Sequence, residues 1–174
     1  MVSDRIQKLL NEQLNKELYS AYLYLSIEAY LEAQSLPGFA NWFRVQAQEE
    51  RDHALIFFNY INRVGGRVRL AQIDAPQVDF ESIGEALKLT LEHEKFVTSS
   101  IYGIVDASIE ERDHKTNSFL QWFITEQVEE EDNADKNVRK FELVKGDGKG
   151  ILMMDAEMAA RVYVQAAPLA AGQA

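Results

Sequence analysis

The chain contains no cysteine. That absence excludes disulfides, thiolate nucleophiles, iron–sulfur clusters and cysteine-ligated zinc. Proline and glycine are scarce, 3 and 9 among 174 residues, and most of them cluster. Pro37-Gly38, then Gly65-Gly66 followed by Pro76, and finally the Gly-Asp-Gly-Lys-Gly run at 146–150 form the main breaks. No apolar run approaches the roughly 20 residues that span a bilayer. The opening residues, 1–8, lack the apolar stretch of a signal peptide. Basic residues are outnumbered, 18 Lys and Arg against 28 Asp and Glu, for a net charge of −10. Such a chain has no charge with which to hold a nucleic-acid backbone, and a cation is its more natural partner. With 47% hydrophobic and 26% charged residues, the composition fits one globular domain and excludes extensive disorder. The expectation is a soluble cytoplasmic protein that binds neither nucleic acid nor membrane.

Between the breaks, apolar residues recur every three or four positions, the mark of amphipathic helices. The spacing predicts four long helices over 4–34, 39–64, 83–109 and 115–145, and a short fifth over 151–163. Ser3 and Asp113 are candidate N-caps. Residues 1–163 then form one domain, and the Ala-rich stretch 164–174 forms a loose tail. The first and second helices are joined by a few residues, as are the third and fourth, so each pair is an antiparallel hairpin. The segment 65–82 is long and contains extended-type residues. The second helix is about 39 Å long at 1.5 Å per residue, and about 16 extended residues reach about 53 Å. The segment can therefore run the length of a bundle. Two hairpins joined by one long crossover is the ferritin-like way of connecting four helices, and the lengths alone also admit a 3+1 or open array.

Each long helix carries a carboxylate where its core stripe should be apolar. The stripes read Leu10, Leu14, Glu17, Ala21; Phe43, Ala47, Glu50, Ala54, Phe57, Ile61; Leu87, Leu91, Glu94, Thr98, Ile101, Val105; and Leu120, Phe123, Gln127, Glu130, Ala134, Val138, Phe141. The interruption falls near the middle of every helix, so Glu17, Glu50, Glu94 and Glu130 converge at one level of an antiparallel bundle. Buried carboxylates together repel one another, and something must neutralise them. The stripes contain no Lys or Arg at that level. Protonation neutralises them in part; metal cations are the remaining answer, and oxygen ligands suit iron, manganese or magnesium. His53 follows Glu50 by three residues and shares its face. Glu-x-x-His with glutamates from partner helices is the di-iron carboxylate arrangement. Glu49, Glu126, Glu129 and Glu130 crowd beside this set, as a solvated acidic face or as a further cation site. Tyr24, one heptad beyond Glu17, can hydrogen-bond a ligand carboxylate or supply an electron. His93 and His114 lack ligand spacing and read as packing or surface residues.

These residues resemble the bacterial and archaeal non-haem ferritins. The resemblance rests on Glu17-Leu-Tyr-Ser-Ala-Tyr-Leu-Tyr-Leu-Ser26, Gln48-Glu-Glu-Arg-Asp-His53-Ala, Leu91-Glu-His-Glu94 and the stretch from Phe119 to Glu131. It implies a homo-oligomeric shell of twenty-four subunits in which each bundle oxidises Fe²⁺ with O₂ or peroxide and ferric mineral is stored inside. It further implies that Glu17, Glu50 and His53 hold a first iron, with Glu50 bridging. Glu94 and Glu130 hold a second, with Gln127 nearby, and Glu49, Glu126, Glu129 and Glu130 form a third iron site. The fifth helix resembles the one that lines the four-fold axes of the shell. Haem is not expected, because Arg51 stands where bacterioferritins carry their haem-ligating methionine. Gln127 and Glu130 likewise replace their second Glu-x-x-His. Rubrerythrins carry a cysteine-ligated iron domain, which this chain cannot build. Three rivals remain: a passive storage shell, a non-storage di-metal oxidase and a metal-free helical interaction protein.

Overall fold

In the computed structural model, which describes residues 2–172, six helices follow one another. They are α1 (Asp4–Ala33), α2 (Pro37–Arg63), α3 (Ile83–Glu110), α4 (His114–Val144), α5 (Gly148–Met158) and α6 (Ala167–Ala170). Among the described residues there is no strand, and no helix is long and apolar enough to cross a membrane. The helix ends follow local chemistry. Ser3 Oγ accepts from the Ile6 amide, Ser82 Oγ from Glu85 and Asp113 Oδ1 from Thr116, each at 3.1 Å. Each satisfies an N–H that has no partner within its own helix.

The four long helices lie within a few residues of the ranges expected from the sequence. The fifth differs. Asp147 accepts from Gly150 N at 2.8 Å and so starts α5 at Gly148 rather than at 151. It ends at Met158 rather than at 163, because Arg161 turns back onto α2. The tail expected to be loose from 164 onward is seated instead as far as it is described. Tyr163 Oη and Ala166 N donate to Asp52 Oδ2 at 2.8 and 3.0 Å. Beyond them α6 packs against α2. Residues 173 and 174 of that tail lie outside the described residues.

The crossover between α2 and α3 is held by one ridge of α1. Gln7 Oε1 accepts from Arg67 N at 2.8 Å, and Asn11 both accepts from Arg69 N and donates to Arg67 O. Asn15 pairs in the same way with Ala71 N and Gln72 O, and Ser26 Oγ donates to Gln77 O at 2.6 Å. Residues 7, 11 and 15 are successive turns of one helix face, so α1 works as a rail for an extended chain. The crossover thus runs the length of the bundle, and α3 begins at the same end as α2.

The apolar core is in two parts. One cluster contains Ile27, Leu31, Phe39, Phe43, Leu87 and Val138. The other contains Leu10, Leu14, Phe57, Ile61, Ile101 and Phe123. Between them every long helix contributes the buried polar residue expected from its stripe: Glu17, Glu50, Glu94, and Gln127 with Glu130. Ala21, Leu91, Val105 and Phe141 lie at the margins of their stripes and are half-buried.

α2 opens on Pro37 with no cap from its own chain segment. Asp155 of α5 supplies one, its Oδ1 accepting from Gly38 N and Phe39 N, each at 2.9 Å. The approach requires glycine, since a Cβ on Gly38 would sit 1.7 Å from the Asp155 carbonyl oxygen. Asp155→Ala is expected to cost about 1 kcal/mol, which lowers the thermal midpoint by about 2–4 °C in a chain of this size. An unchanged midpoint in thermal denaturation would show that this cap contributes nothing.

Candidate metal centre

Glu17 comes from the middle of α1, and Glu50 and His53 from successive turns of α2. Glu94 comes from α3, and Gln127 and Glu130 from α4. All six are at most 4% exposed. His53 Nδ1 lies 3.4 Å from Glu50 Oε2, and its Nε2 lies 4.0 Å from Glu126 Oε1. The imidazole is held edge-on by Trp122 and Phe123, with ring centroids 5.5 and 5.9 Å away. Two groups bring a ligand atom from each member within 4.8 Å of one another: Glu17, Glu50 and His53, and His53, Glu126 and Glu130. Both share His53, so the two positions lie side by side.

Each carboxylate accepts from a neutral donor. Gln13 Nε2 donates to Glu17 Oε1 at 2.8 Å. Gln46 Nε2 donates to Glu130 Oε2 at 2.7 Å and to Glu50 Oε1 at 3.3 Å. Gln127 Nε2 donates to Glu94 Oε2 at 3.2 Å, and the Tyr24 hydroxyl donates to Glu94 Oε1. Amides and a phenol orient these oxygens but do not cancel their charge. Glu17 Oε2 is buried with no hydrogen-bond partner. A buried polar atom without a partner carries a full desolvation cost, and this one belongs to a residue grouped with Glu50 and His53.

The electrostatics carry the same message. Burial first, and then the Glu50 charge, push the Glu17 and Glu94 carboxyls from an ordinary 4.5 up to about 8. Burial and the Glu94 charge do the same to Glu130, raising it to about 8. Burial, with Glu130 beside it, raises Glu50 well above the usual carboxylate range. Without a cation these groups hold protons at neutral pH. A divalent ion that binds there displaces those protons and replaces repulsion with attraction. Tyr24 is raised well above 10 by burial and by Glu94, so its phenol stays neutral. His93 Nε2 pairs with Ser20 Oγ at 2.7 Å, and burial lowers this imidazole to about 4.

The acidic flank is less gathered than the sequence suggests. Glu126 is half-buried and reaches His53, while Glu129 is exposed. Glu49 is ion-paired to Arg161, which follows α5. Three residues missed at the sequence level belong to the centre: Gln13, Gln46 and Thr98, the last accepting from Gln127 at 3.2 Å. A signal for the first two was present. Gln13 stands four residues before Glu17, and Gln46 four before Glu50. Both are uncharged polar residues on a buried face.

Residues 7–144 match the ferritin-like domain family. The chain belongs to the ferritin family. Among curated relatives, the bacterial non-heme ferritin of Staphylococcus aureus is 36% identical over 163 residues, covering 94% of this chain and 98% of the relative. A probable bacterial non-heme ferritin-like protein of Haemophilus influenzae is 37% identical over 158 residues, covering 91% and 96%. Among solved structures, an open-pore ferritin from the archaeon Archaeoglobus fulgidus superposes with a TM-score of 0.92 at 41% identity, covering 92% of this chain and 98% of that one. A closed form of the same archaeal ferritin, engineered by site-directed mutagenesis, superposes with a TM-score of 0.93 at 40% identity, covering 94% and 100%. The ferritin-like bundle with one long crossover and a short fifth helix is therefore the fold of this chain.

The raised carboxyls set the pH dependence of the metal-free ferritin. Their folded-state values lie above the unfolded 4.5, so the folded state binds more protons between about pH 4.5 and 8. Stability is then full below that window and is lost as pH rises through it. Thermal midpoints of metal-free protein are expected to fall between about pH 5 and 8. Zn²⁺, which binds the ionised carboxylates of the folded state, is expected to remove most of the fall. A midpoint that rises over this range without metal would refute the protonated centre.

Proposed function

We propose that this ferritin is an iron-storage ferroxidase, with Fe²⁺ and O₂ or peroxide as its substrates. Family membership supports iron storage as the coarse function. The observation that carries the catalytic part is the grouping of Glu17, Glu50 and His53, each with a ligand atom within 4.8 Å of the others, in a buried layer of carboxyls where Glu17 Oε2 has no hydrogen-bond partner. Glu17, Glu50 and His53 take one Fe²⁺, with Glu50 shared between the two positions, and Glu94 and Glu130 take the second. Gln127 spends its amide NH₂ on Glu94 and so serves by orienting that ligand. The neutral amide also leaves the second position less negative, which favours release of the product ion.

Each Fe²⁺ gives up one electron. Two electrons and two protons convert O₂ to H₂O₂, or convert H₂O₂ to two waters. Tyr24 lies fully buried against Phe43 and His93 with its hydroxyl on Glu94. It can therefore yield an electron while its proton passes to that carboxylate. Glu126 and exposed Glu129 extend from Glu130 toward solvent, and with Glu49 they form the proposed third iron site. A shell of twenty-four copies in the cytoplasm supplies the enclosed volume that storage needs. No haem has a place in this scheme.

A non-storage di-metal oxidase would use the same carboxylates on an organic substrate, whereas storage requires uptake far beyond the centre's capacity. Stepwise addition of Fe²⁺ in air to metal-free protein is expected to give a rapid oxidation burst that saturates near two irons per chain. Slower uptake into soluble particles should follow. Glu50→Ala is expected to lose at least about 100-fold of the burst rate, since the shared ligand is gone, while keeping its helical circular dichroism. It need not lose stability, because the carboxyl removed is a buried polar group that an apolar side chain can replace in the core. An unchanged burst in Glu50→Ala would overturn the site assignment.

A further inference from the structure

The tail makes a contact that iron storage does not require. Arg161 lies three residues beyond the end of α5, at the α2 surface. Its guanidinium stacks on the Trp42 ring, 4.4 Å from the centroid. Nη1 donates to Gln46 Oε1 at 2.8 Å and to the Trp42 carbonyl at 3.3 Å, and Nη2 pairs with Glu49. Asn41 Nδ2 holds the Arg161 carbonyl at 3.0 Å, and Tyr163 and Ala166 grip Asp52. The arginine is therefore fixed from both sides along successive turns of α2.

Gln46 is fully buried and joins this contact to the centre, since its Nε2 donates to Glu130 and Glu50. An amide offers an acceptor at one end and donors at the other. A guanidinium can only donate. Facing Arg161, the amide must present its oxygen outward and its NH₂ inward, onto the two carboxylates. Flipped, it would oppose its own oxygen to both carboxylates and its NH₂ to a cation. We propose that Arg161 is a positioning residue for the metal centre. Through Gln46 it fixes the side-chain positions of Glu130 and Glu50 that receive a divalent ion. The inference rests on the ferroxidase reading of that centre.

The fork geometry of the guanidinium is what the role needs. One nitrogen serves Gln46 while the other serves Glu49, and a lysine ammonium is a point donor that cannot reproduce both with one planar group. Lysine therefore restores the charge beside Glu49 but has one nitrogen, on a flexible stem, to divide between Glu49 and Gln46. The role is also specific to Gln46: in a Gln46→Leu background there is no amide to orient, and the loss of Arg161 has nothing further to disturb.

The test is titration of metal-free protein with Co²⁺, which needs no oxidation and reports coordination through its visible absorption. Wild type, Arg161→Ala, Arg161→Lys, Gln46→Leu and the Arg161→Ala/Gln46→Leu double variant are compared, with circular dichroism confirming the fold of each. Wild type is expected to bind two Co²⁺ per chain. Arg161→Ala is expected to weaken one of the two by about tenfold, the worth of one oriented hydrogen bond to a charged group, and to shift its absorption. Arg161→Lys should behave like Arg161→Ala. The double variant should bind no more weakly than Gln46→Leu alone, as coupled residues do. Wild-type affinity and spectrum in Arg161→Ala would overturn the proposal and leave the ferroxidase reading standing. Full rescue by lysine would overturn the requirement for the guanidinium fork. Additive effects in the double variant would overturn the route through Gln46. Absence of Co²⁺ binding in wild type would overturn the ferroxidase reading and the proposal with it.

Discussion

The bundle is organised around acidic groups placed where hydrocarbon should be. Four carboxylates buried at one level of an apolar core repel one another and are starved of solvent. The arrangement persists because the rest of the molecule serves it. Amides from Gln13, Gln46 and Gln127 and the Tyr24 hydroxyl supply oriented donors. The two apolar clusters on either side supply the stabilisation that the polar layer cannot. Long helices are needed for this, because each must contribute a full hydrophobic stripe above and below its glutamate.

Much of this was legible in the sequence, for a physical reason. A helix with period 3.6 writes its buried face as a visible stripe, and a charge within such a stripe stands out. Glu17, Glu50, Glu94 and Glu130 could thus be placed at one level from their positions along four helices of similar length. The breaks at Pro37-Gly38 and Gly65-Gly66 gave the hairpin and the crossover. The hidden parts depend on contacts between residues far apart in the chain. Asp155 caps α2 across 116 residues of sequence, and Arg161 reaches Glu49 across 112. No local pattern encodes either. Arg161 read as part of the fifth helix, over 151–163, because nothing nearby in the sequence shows that it turns back onto α2.

The C-terminal elements bind the bundle at both ends of α2. α5 presents Asp155 to the first turn of that helix, and the segment after it runs along α2 past Gln46, Glu49 and Asp52 to α6. α2 also carries Glu50 and His53, so the helix with two of the proposed ligands is tied from outside as well. Its internal face is set by packing against α1 and its external face by the returning chain. A ligand helix held on both faces has little freedom to rotate, and rotation is the motion that would scatter Glu50 and His53 from their partners.

The crossover is fastened differently. Its bonds to Gln7, Asn11, Asn15 and Ser26 are made through the main chain at 67, 69, 71, 72 and 77, while most of its own side chains face solvent. Backbone attachment is indifferent to the identity of the residue attached. That stretch can therefore drift in sequence while α1 cannot, provided proline does not arrive at 67, 69 or 71, where the N–H is in use. Between 69 and 76 the surface of the molecule thus contains a ribbon that evolution, or an engineer, can rewrite, while Val68 and Phe80 on either side remain part of the packing.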